Sequence, residues 1–476
     1  MAEQPVGIKS TVSRQTSLCR VTGLVMLLAA IVRLAAMTGD LAIDEVWSWW
    51  FVQNVIRGIT DILRLKHDNN HILNTLIMSA LGPNAAGGWY RLPAVIASIS
   101  TVVLAGAIAR RRQGETGALI AALLIGGSSI LILYGSEARG YSYALCFAFL
   151  AWELLLRILN SGRRRDAAAF ALAASLGMLS HLTFIYALAG YWSWMLLSWR
   201  RQPNWRWLAG LIPPTMVAGL LYVGFIRGMA IGGGPETSLL SAIISTLSIS
   251  AGGPLTGDGA LLAAGLFAGL LGIGLMKRFL TELPESAGLL VIIVLAPAAV
   301  LLLTGHALIY PRYFFIPIGF ALLVVGDLLT AAWLRAGWRR IVAGMVIATF
   351  LVGNSWWTAR LLNHGRGDYT GALQWMATQI PNRPATISSD HDFRNGLIYA
   401  YYGPKLNLYG ERLRYVEQRA LPPAGTDFLI LHDFEGDDPF PNTVSDRYGN
   451  RFQLERTFRH QSLSGWNWWV YRRSNL

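Results

Sequence analysis

Charge is scarce in this chain. Only 14% of its 476 residues are Asp, Glu, Lys or Arg, against 53% apolar, too little polar surface to cover a globule in water. A mean hydropathy of +0.41 argues the same way, so a soluble multi-domain protein is excluded and the bilayer becomes the solvent. Cysteine is nearly absent. Cys19 and Cys146 fall near or within apolar segments, which excludes a disulfide framework and reads as two buried, inert thiols. No Cys or His cluster has zinc spacing, GGGP at 232–235 lacks the Gly-Lys-Ser/Thr ending of a phosphate loop, and there is no internal repeat or low-complexity tail. Asp390-His391-Asp392 and Glu435-Gly-Asp437-Asp438 look like metal ligands. The second lacks a calcium-loop pattern, however, and both adjoin turns, where Asp is common for its own hydrogen bonding.

Long apolar runs are what the chain has instead. A helix needs about 20 mostly apolar residues to cross the hydrocarbon core, and by that measure there are about eleven crossings. They lie near 18–38, 91–109, 116–134, 141–159, 167–182, 184–199, 207–227, 260–276, 286–305, 313–334 and 340–358. The run at 21–37 follows Lys9, Arg14 and Arg20 as a signal peptide would. It is long for a signal core and many spans follow, so it reads as a retained first span. The net charge of +13 could suggest nucleic acid, but the basic residues come as short clusters between apolar runs. Arg110–Arg112, Arg163–Arg165, Arg200 with Arg201 and Arg206, Lys277 with Arg278, and Arg335 with Arg339 and Arg340 fall at alternate ends and share one side, the cytoplasm. The remaining loops then face outward, and an odd number of spans delivers the C-terminal region there too. The expectation is a multi-pass protein of a bacterial-type inner membrane, N-terminus in and C-terminus out.

Residues 1–17 would be a cytoplasmic segment, 18–358 a membrane domain with a first outer loop at 39–90, and 359–476 an outer α/β domain. In the first outer loop HILNTLIMSAL at 71–81 is apolar but too short to cross, so it lies in the interface or re-enters. The loop at 228–259 holds SLLSAIISTLSIS between glycine clusters and reads equally as a lid or as a connector. Beyond 359 the composition becomes that of a soluble domain. DYTGALQWMATQI has helical periodicity, and PATISSD, LRYVEQ, DFLILHD, FQLERTFRH and WNWWVYRR read as strands.

The stretch the chain is organised around is GDLAIDEVWSWW at 39–50, with HDNNHILN at 67–74. Carboxylates just beyond a membrane span stay hydrated and still face a lipid-borne reactant. On the outer side the acids are Asp40, Asp44, Glu45, Asp68 and Glu137, the cations Arg91, Arg139 and Arg312, and the titratable imidazoles His71, His181 and His306. Asp44 also suits a helix N-cap. Trp47, Trp49 and Trp50 suit an interfacial aromatic belt better than a sugar platform. Arg312 suits a snorkelling arginine, and Glu137 with Arg139 a local ion pair. Chemically, one acid-rich corner with separate arginines fits a sugar carried on a lipid phosphate. The phosphate leaving group needs cations rather than a second acid, and the attacking hydroxyl needs one base. A glycoside hydrolase would need two opposed carboxylates. A transporter or lipid flippase, from a different class, would show paired repeats and mid-membrane charges, and a sensor or scaffold would work through its outer domain alone.

At these residues the sequence resembles the GT-C class of membrane glycosyltransferases, near the protein O-mannosyltransferase and lipid A aminoarabinose transferase group. The features shared, over about residues 20–330, are IDEVW after span one, the His of NNHILNTL, YRLPAVIAS, SEARGYS and PRYFFIPI. The resemblance implies an α-helical polytopic fold with a small C-terminal extracytoplasmic α/β domain. It further implies a polyprenyl-phosphate-linked sugar donor, inversion at the anomeric carbon, and an envelope lipid, glycan or protein acceptor. Carried onto this chain, Asp44 is the base with Glu45 as alternate, Arg139 and Arg312 hold the donor phosphate, and His71, Glu137, Asp68 and Trp47 contact substrate. Many relatives have Pro-Pro after the loop histidine where Ile72 and Leu73 stand here, which leaves the subfamily and acceptor open. Metal use varies across the class, so a divalent cation is open as well. IDEVW, SEARGY and PRYF are expected to meet in one cavity at the outer leaflet.

Overall fold

The computed structural model describes residues 6–201, 203–234, 237–305, 309–434 and 440–474, with side chains from residue 15 onward and without that of Arg206. Its helices begin with α1 (Val6–Ala36), α2 (Ile43–Asn54), α3 (Ile59–Arg64), α4 (Ile72–Leu81), α5 (Gly87–Gly127), α6 (Ser129–Gly135), α7 (Tyr141–Ser161), α8 (Arg164–Ser180) and α9 (Ile185–Trp199). They continue with α10 (Trp205–Ala209), α11 (Ile212–Leu221), α12 (Leu239–Ser250), α13 (Gly257–Phe279), α14 (Leu283–Leu290), α15 (Ala296–Thr304), α16 (Phe315–Trp333), α17 (Trp338–His364), α18 (Tyr369–Gln379) and α19 (Asp392–Lys405). Two compact units result. The first comprises the chain up to Met37, Gly58–Ile77 and Tyr90–Thr358, and the second Thr38–Arg57, Met78–Trp89 and the described chain from Ala359.

Among the described residues eight helical stretches are long and apolar enough to cross a membrane. The eleven expected crossings differ from these in bookkeeping more than in place. The 41 residues of α5 break at Gln113 and Gly114, where Gly114 takes φ +66°, a left-handed conformation that glycine adopts without steric cost. The break follows Arg110–Arg112 and divides α5 into two of the expected spans. Two more fall on α8 and α9, with 17 and 15 residues, short of the usual crossing length. The interfacial helix expected over 71–81 is α4, and the apolar stretch of the 228–259 loop folds as α12.

Within the first unit, α7 and α16 are buried along most of their length, while α1 and the 283–304 pair turn apolar side chains outward. Polar groups inside the bundle are matched, as burial demands. Arg33, buried in α1, donates to Ser98 Oγ at 2.9 Å and to the carbonyls of Ile125 and Gly126, each at 2.9 Å. Asn354 Oδ1 accepts from the Ser129 amide and hydroxyl at 2.8 and 2.9 Å. Together they satisfy both helix ends at the α5–α6 break. At the arginine clusters, Arg112 meets Glu285 at 2.8 Å, Glu282 at 3.0 Å and Asp327 at 3.2 Å, and Arg278 meets Glu285 at 3.2 Å and Asp327 as well. Two basic clusters far apart in sequence therefore lie at one end of the bundle.

The second unit is built on a six-stranded sheet of β1 (Ala385–Ser389), β2 (Leu413–Tyr415), β3 (Phe428–Asp433), β4 (Thr443–Ser445), β5 (Arg451–Phe458) and β6 (Asn467–Arg473), in the order β2-β1-β3-β6-β5-β4. The first three strands are parallel, and β3, β6, β5 and β4 pair antiparallel. The strand-like runs and the helix expected from the sequence are all present, joined by α19 and β4. Residues 38–57 and 78–89, which the sequence suggests belong to the membrane domain's outer loop, pack in this unit. The metal-like Asp390 and Asp392 serve the fold: Asp390 accepts from His432 Nδ1 at 2.8 Å and from Asn395, and Asp392 accepts from Tyr415 Oη and the Gln418 amide. Residues 435–438 and His306 lie outside the described residues.

Burial of His460 is expected to make this unit sensitive to acid. The side chain is buried in the turn before β6, with Nδ1 against Asn467 Oδ1 at 2.9 Å, and burial pushes its pKa from 6.5 down to about 4. The neutral form is thus favoured by folding. Its contribution is complete above the unfolded value and is lost as pH falls through the window between 6.5 and about 4, on the order of 3 kcal/mol in all. Unfolding of the full chain followed across that window is expected to be less steeply acid-dependent in His460→Gln, which keeps an acceptor partner and does not titrate there.

Candidate active site

The first unit brings together three of the stretches singled out above. His67–Asn74 forms a tight corner before α4. Asn70 Nδ2 donates to the Ile62 and Leu65 carbonyls at 2.7 and 2.9 Å, and Thr75 Oγ1 donates back to Asn70 Oδ1 at 2.8 Å. Asn74 Nδ2 then reaches the Ala138 carbonyl at 2.7 Å, tying the corner to the SEARGYS turn. That turn packs closely at Gly140, where a methyl group would collide with the Ser180 carbonyl oxygen.

Arg139 is the centre of this arrangement and is 5% exposed. Its Nη2 donates to Asn69 Oδ1 at 3.1 Å, and the guanidinium faces His71 Nε2 at 3.1 and 3.3 Å while stacking over the Tyr141 ring at 5.2 Å. An arginine has donors only, so His71 Nε2 accepts, and the imidazole is neutral with its proton on Nδ1. Electrostatics agree. Burial, then His181, Arg139 and Arg312, hold the His71 pKa well below its ordinary value. His181 stacks on His71 at 4.7 Å and lies 4.4 Å from Tyr141.

Arg312 comes to the same place from a distant part of the sequence. Pro311–Phe314 forms a single 3-10 turn, and the guanidinium sits 4.7 Å over Tyr310 and 5.7 Å from Tyr313. Its field is felt at His71 together with that of Arg139. Glu137 is buried in the turn that presents Arg139, with its carbonyl accepting from the Arg139 amide at 2.8 Å. Asp68 pairs with His67 at 2.9 Å and donates its amide to Ala230. Asn69, which the sequence reading passed over, is the neighbour that reaches Arg139. A run of polar residues in DNNHILN signals a satisfied corner but not which member faces inward.

The second unit carries the acid pair on α2. Both acids sit in its first turn, where the helix N-terminus favours a carboxylate. They differ in environment. Glu45 is fully buried and its Oε2 accepts from the Ala42 amide at 2.8 Å, a capping-box bond that uses it structurally. Asp44 is half-buried. Trp47 meets Phe393 edge-on at 4.8 Å, and Trp49 meets Tyr401 at 4.8 Å while its Nε1 donates to the Pro83 carbonyl. Asp40 accepts from the Thr370 amide at 2.7 Å and hydroxyl at 3.1 Å, and burial still raises its pKa. Among the described residues no group of three or more His, Cys, Asp or Glu is placed to hold a metal ion.

Comparison with solved structures identifies the architecture. ArnT from Cupriavidus metallidurans in the apo state superposes with a TM-score of 0.50 at 13% identity, covering 86% of this chain and 92% of that one. The same protein bound to undecaprenyl phosphate gives 0.51 at 13% identity, covering 88% and 93%. The fold is that of the GT-C membrane glycosyltransferases. Residues 76–225 also match the family model for dolichyl-phosphate-mannose-protein mannosyltransferase. That GT-C match takes in SEARGYS but neither IDEVW nor PRYFFIPI. No curated protein sequence matches the chain.

Proposed function

We propose that this GT-C protein is an inverting glycosyltransferase that moves a sugar from a polyprenyl-phosphate donor to an envelope lipid, glycan or protein at the outer face of a bacterial-type inner membrane. The observation that carries the reading is the buried Arg139, whose guanidinium donates to Asn69 and His71, with the PRYF turn that bears Arg312 packed beside it through Phe315, 5.9 Å from Tyr141. A buried arginine with its fork oriented by Asn69 and His71 is suited to the charge a phosphate gains as it leaves. His71 is assigned the role of orienting Arg139, because a neutral acceptor cannot supply positive charge. Asp44 is assigned the role of base for the acceptor hydroxyl, and Glu45 that of helix cap. Glu137 and Asp68 are assigned to shaping the walls of the donor side, and Trp47 to the acceptor side. ArnT is described as bound to undecaprenyl phosphate, a ligand of the class proposed. N-terminus in and C-terminal unit out is the topology this reading requires.

The test is reconstitution of the full chain with several undecaprenyl-phosphate sugars and an envelope-lipid or glycan acceptor. Release of undecaprenyl phosphate in step with a new glycosidic product is expected. Transport of the lipid or sugar across vesicles without any glycosidic product would overturn the reading.

A further inference from the structure

The second unit does more with α2 than cover it. The three residues immediately before the helix are each pinned by a directional bond. Asp40 is held by both donors of Thr370, at 2.7 and 3.1 Å, the Leu41 amide donates to Tyr402 Oη at 2.5 Å, and the Ala42 amide donates to Glu45 at 2.8 Å. Leu41 and Ala42 are buried, and Leu41 packs against Gly87, where a Cβ would approach its side chain to 3.1 Å. Thr370 lies in the first turn of α18, whose preceding residue, Asp368, caps it through the Gly371 amide at 3.2 Å. Tyr402 lies on α19, against which Trp47 and Trp49 of α2 also rest through Phe393 and Tyr401.

Ring contacts alone would dock α2. They tolerate small rotations and slides, because apolar contact is not directional. Hydrogen bonds to residues 40–42 are directional, and they act on the backbone just before Asp44. The direction of a first-turn side chain follows from where the helix starts and how the chain enters it.

We propose that Thr370 and Tyr402 are positioning residues: through Asp40 and Leu41 they set the start of α2 and with it the aim of the Asp44 carboxylate. This rests on Asp44 being the base. The C-terminal α/β unit is then the frame of the reacting acid, whatever else it binds. A carboxylate displaced by an ångström costs about a hundredfold in rate, so small losses of fit are visible in kcat.

The experiment uses the full chain in nanodiscs with an undecaprenyl-phosphate sugar and compares wild type, Thr370→Val, Tyr402→Phe, the pair together, and Thr370→Ser. Expected are a fall in kcat of about tenfold for each single variant and about a hundredfold for the pair, with the donor KM unchanged and the protein still folded at the assay temperature. Thr370→Ser restores the rate. In an Asp44→Asn background, Tyr402→Phe removes nothing more. Hydrogen exchange supplies a readout independent of turnover: amides 41–46 exchange faster in the pair, while β1 and β3 keep their protection. Unchanged exchange at 41–46, a wild-type kcat in the pair, or a KM rise at constant kcat overturns the positioning role. Full activity of Asp44→Asn instead removes the base beneath it, so the two failures are told apart.

Discussion

Asp44→Asn is expected to lower kcat by about a thousandfold or more, within the range that a positioned general base contributes, while the protein inserts and melts as wild type. The asparagine keeps the size of the side chain and its place in the first turn of α2, but has no basic oxygen to take the acceptor's proton. The neighbouring acid gives the control. Glu45→Gln is expected to keep most of its turnover, because Glu45 accepts from the Ala42 amide, and an amide oxygen does that too. Glu45→Ala instead loses on the order of 1 kcal/mol of stability with the cap. Transfer assays with a purified undecaprenyl-phosphate sugar, beside melting curves, separate the two acids. An Asp44→Asn protein that turns over normally would remove Asp44 as base.

Arg139→Gln is expected to weaken donor binding and turnover together, by about a hundredfold or more in kcat/KM, the size of one charge-bearing donor aimed at developing charge. Arg139→Lys is expected to recover little. The guanidinium donates to Asn69 and faces His71 while stacked on Tyr141, and an ammonium has neither the planar fork nor the stacking face. Calorimetric titration with undecaprenyl phosphate reads the binding part without any acceptor. Wild-type affinity in Arg139→Gln would leave the phosphate to other cations. His71→Gln is a milder change on this view, since glutamine can still offer Arg139 an acceptor.

Much of the architecture was legible because of the solvent the chain lives in. Hydropathy located the long helices of the bundle but not α3 or α12, and the break in α5 fell at Gln113 and Gly114, just beyond the basic cluster Arg110–Arg112. Every strand of the second unit but the three-residue β4 stood out as a β-branched and aromatic run between turn residues. Its helix α19 did not, since FRNGLIYAYYGPK mixes glycine, tyrosine and a late proline, and its helical state comes from packing against the sheet and α2. Candidate residues were legible as types, and their assignments less so. Asp44 and Glu45 look alike in IDEVW, yet one is a half-exposed acid and the other a buried cap. His71 reads as a titratable group, and burial, with the donors of Arg139 beside it, leaves it a neutral acceptor.

By itself the sequence determined that this is a multi-span membrane protein with an added α/β region and acids and arginines at its span ends. Without water a backbone must satisfy its own hydrogen bonds, so long apolar runs have little choice but to be helices. Only the tertiary structure decided which polar group answers which. Asn69 reaches Arg139 across 70 residues and Thr370 reaches Asp40 across 330, because a donor's chemistry states what it needs and the packing of distant helices decides who supplies it.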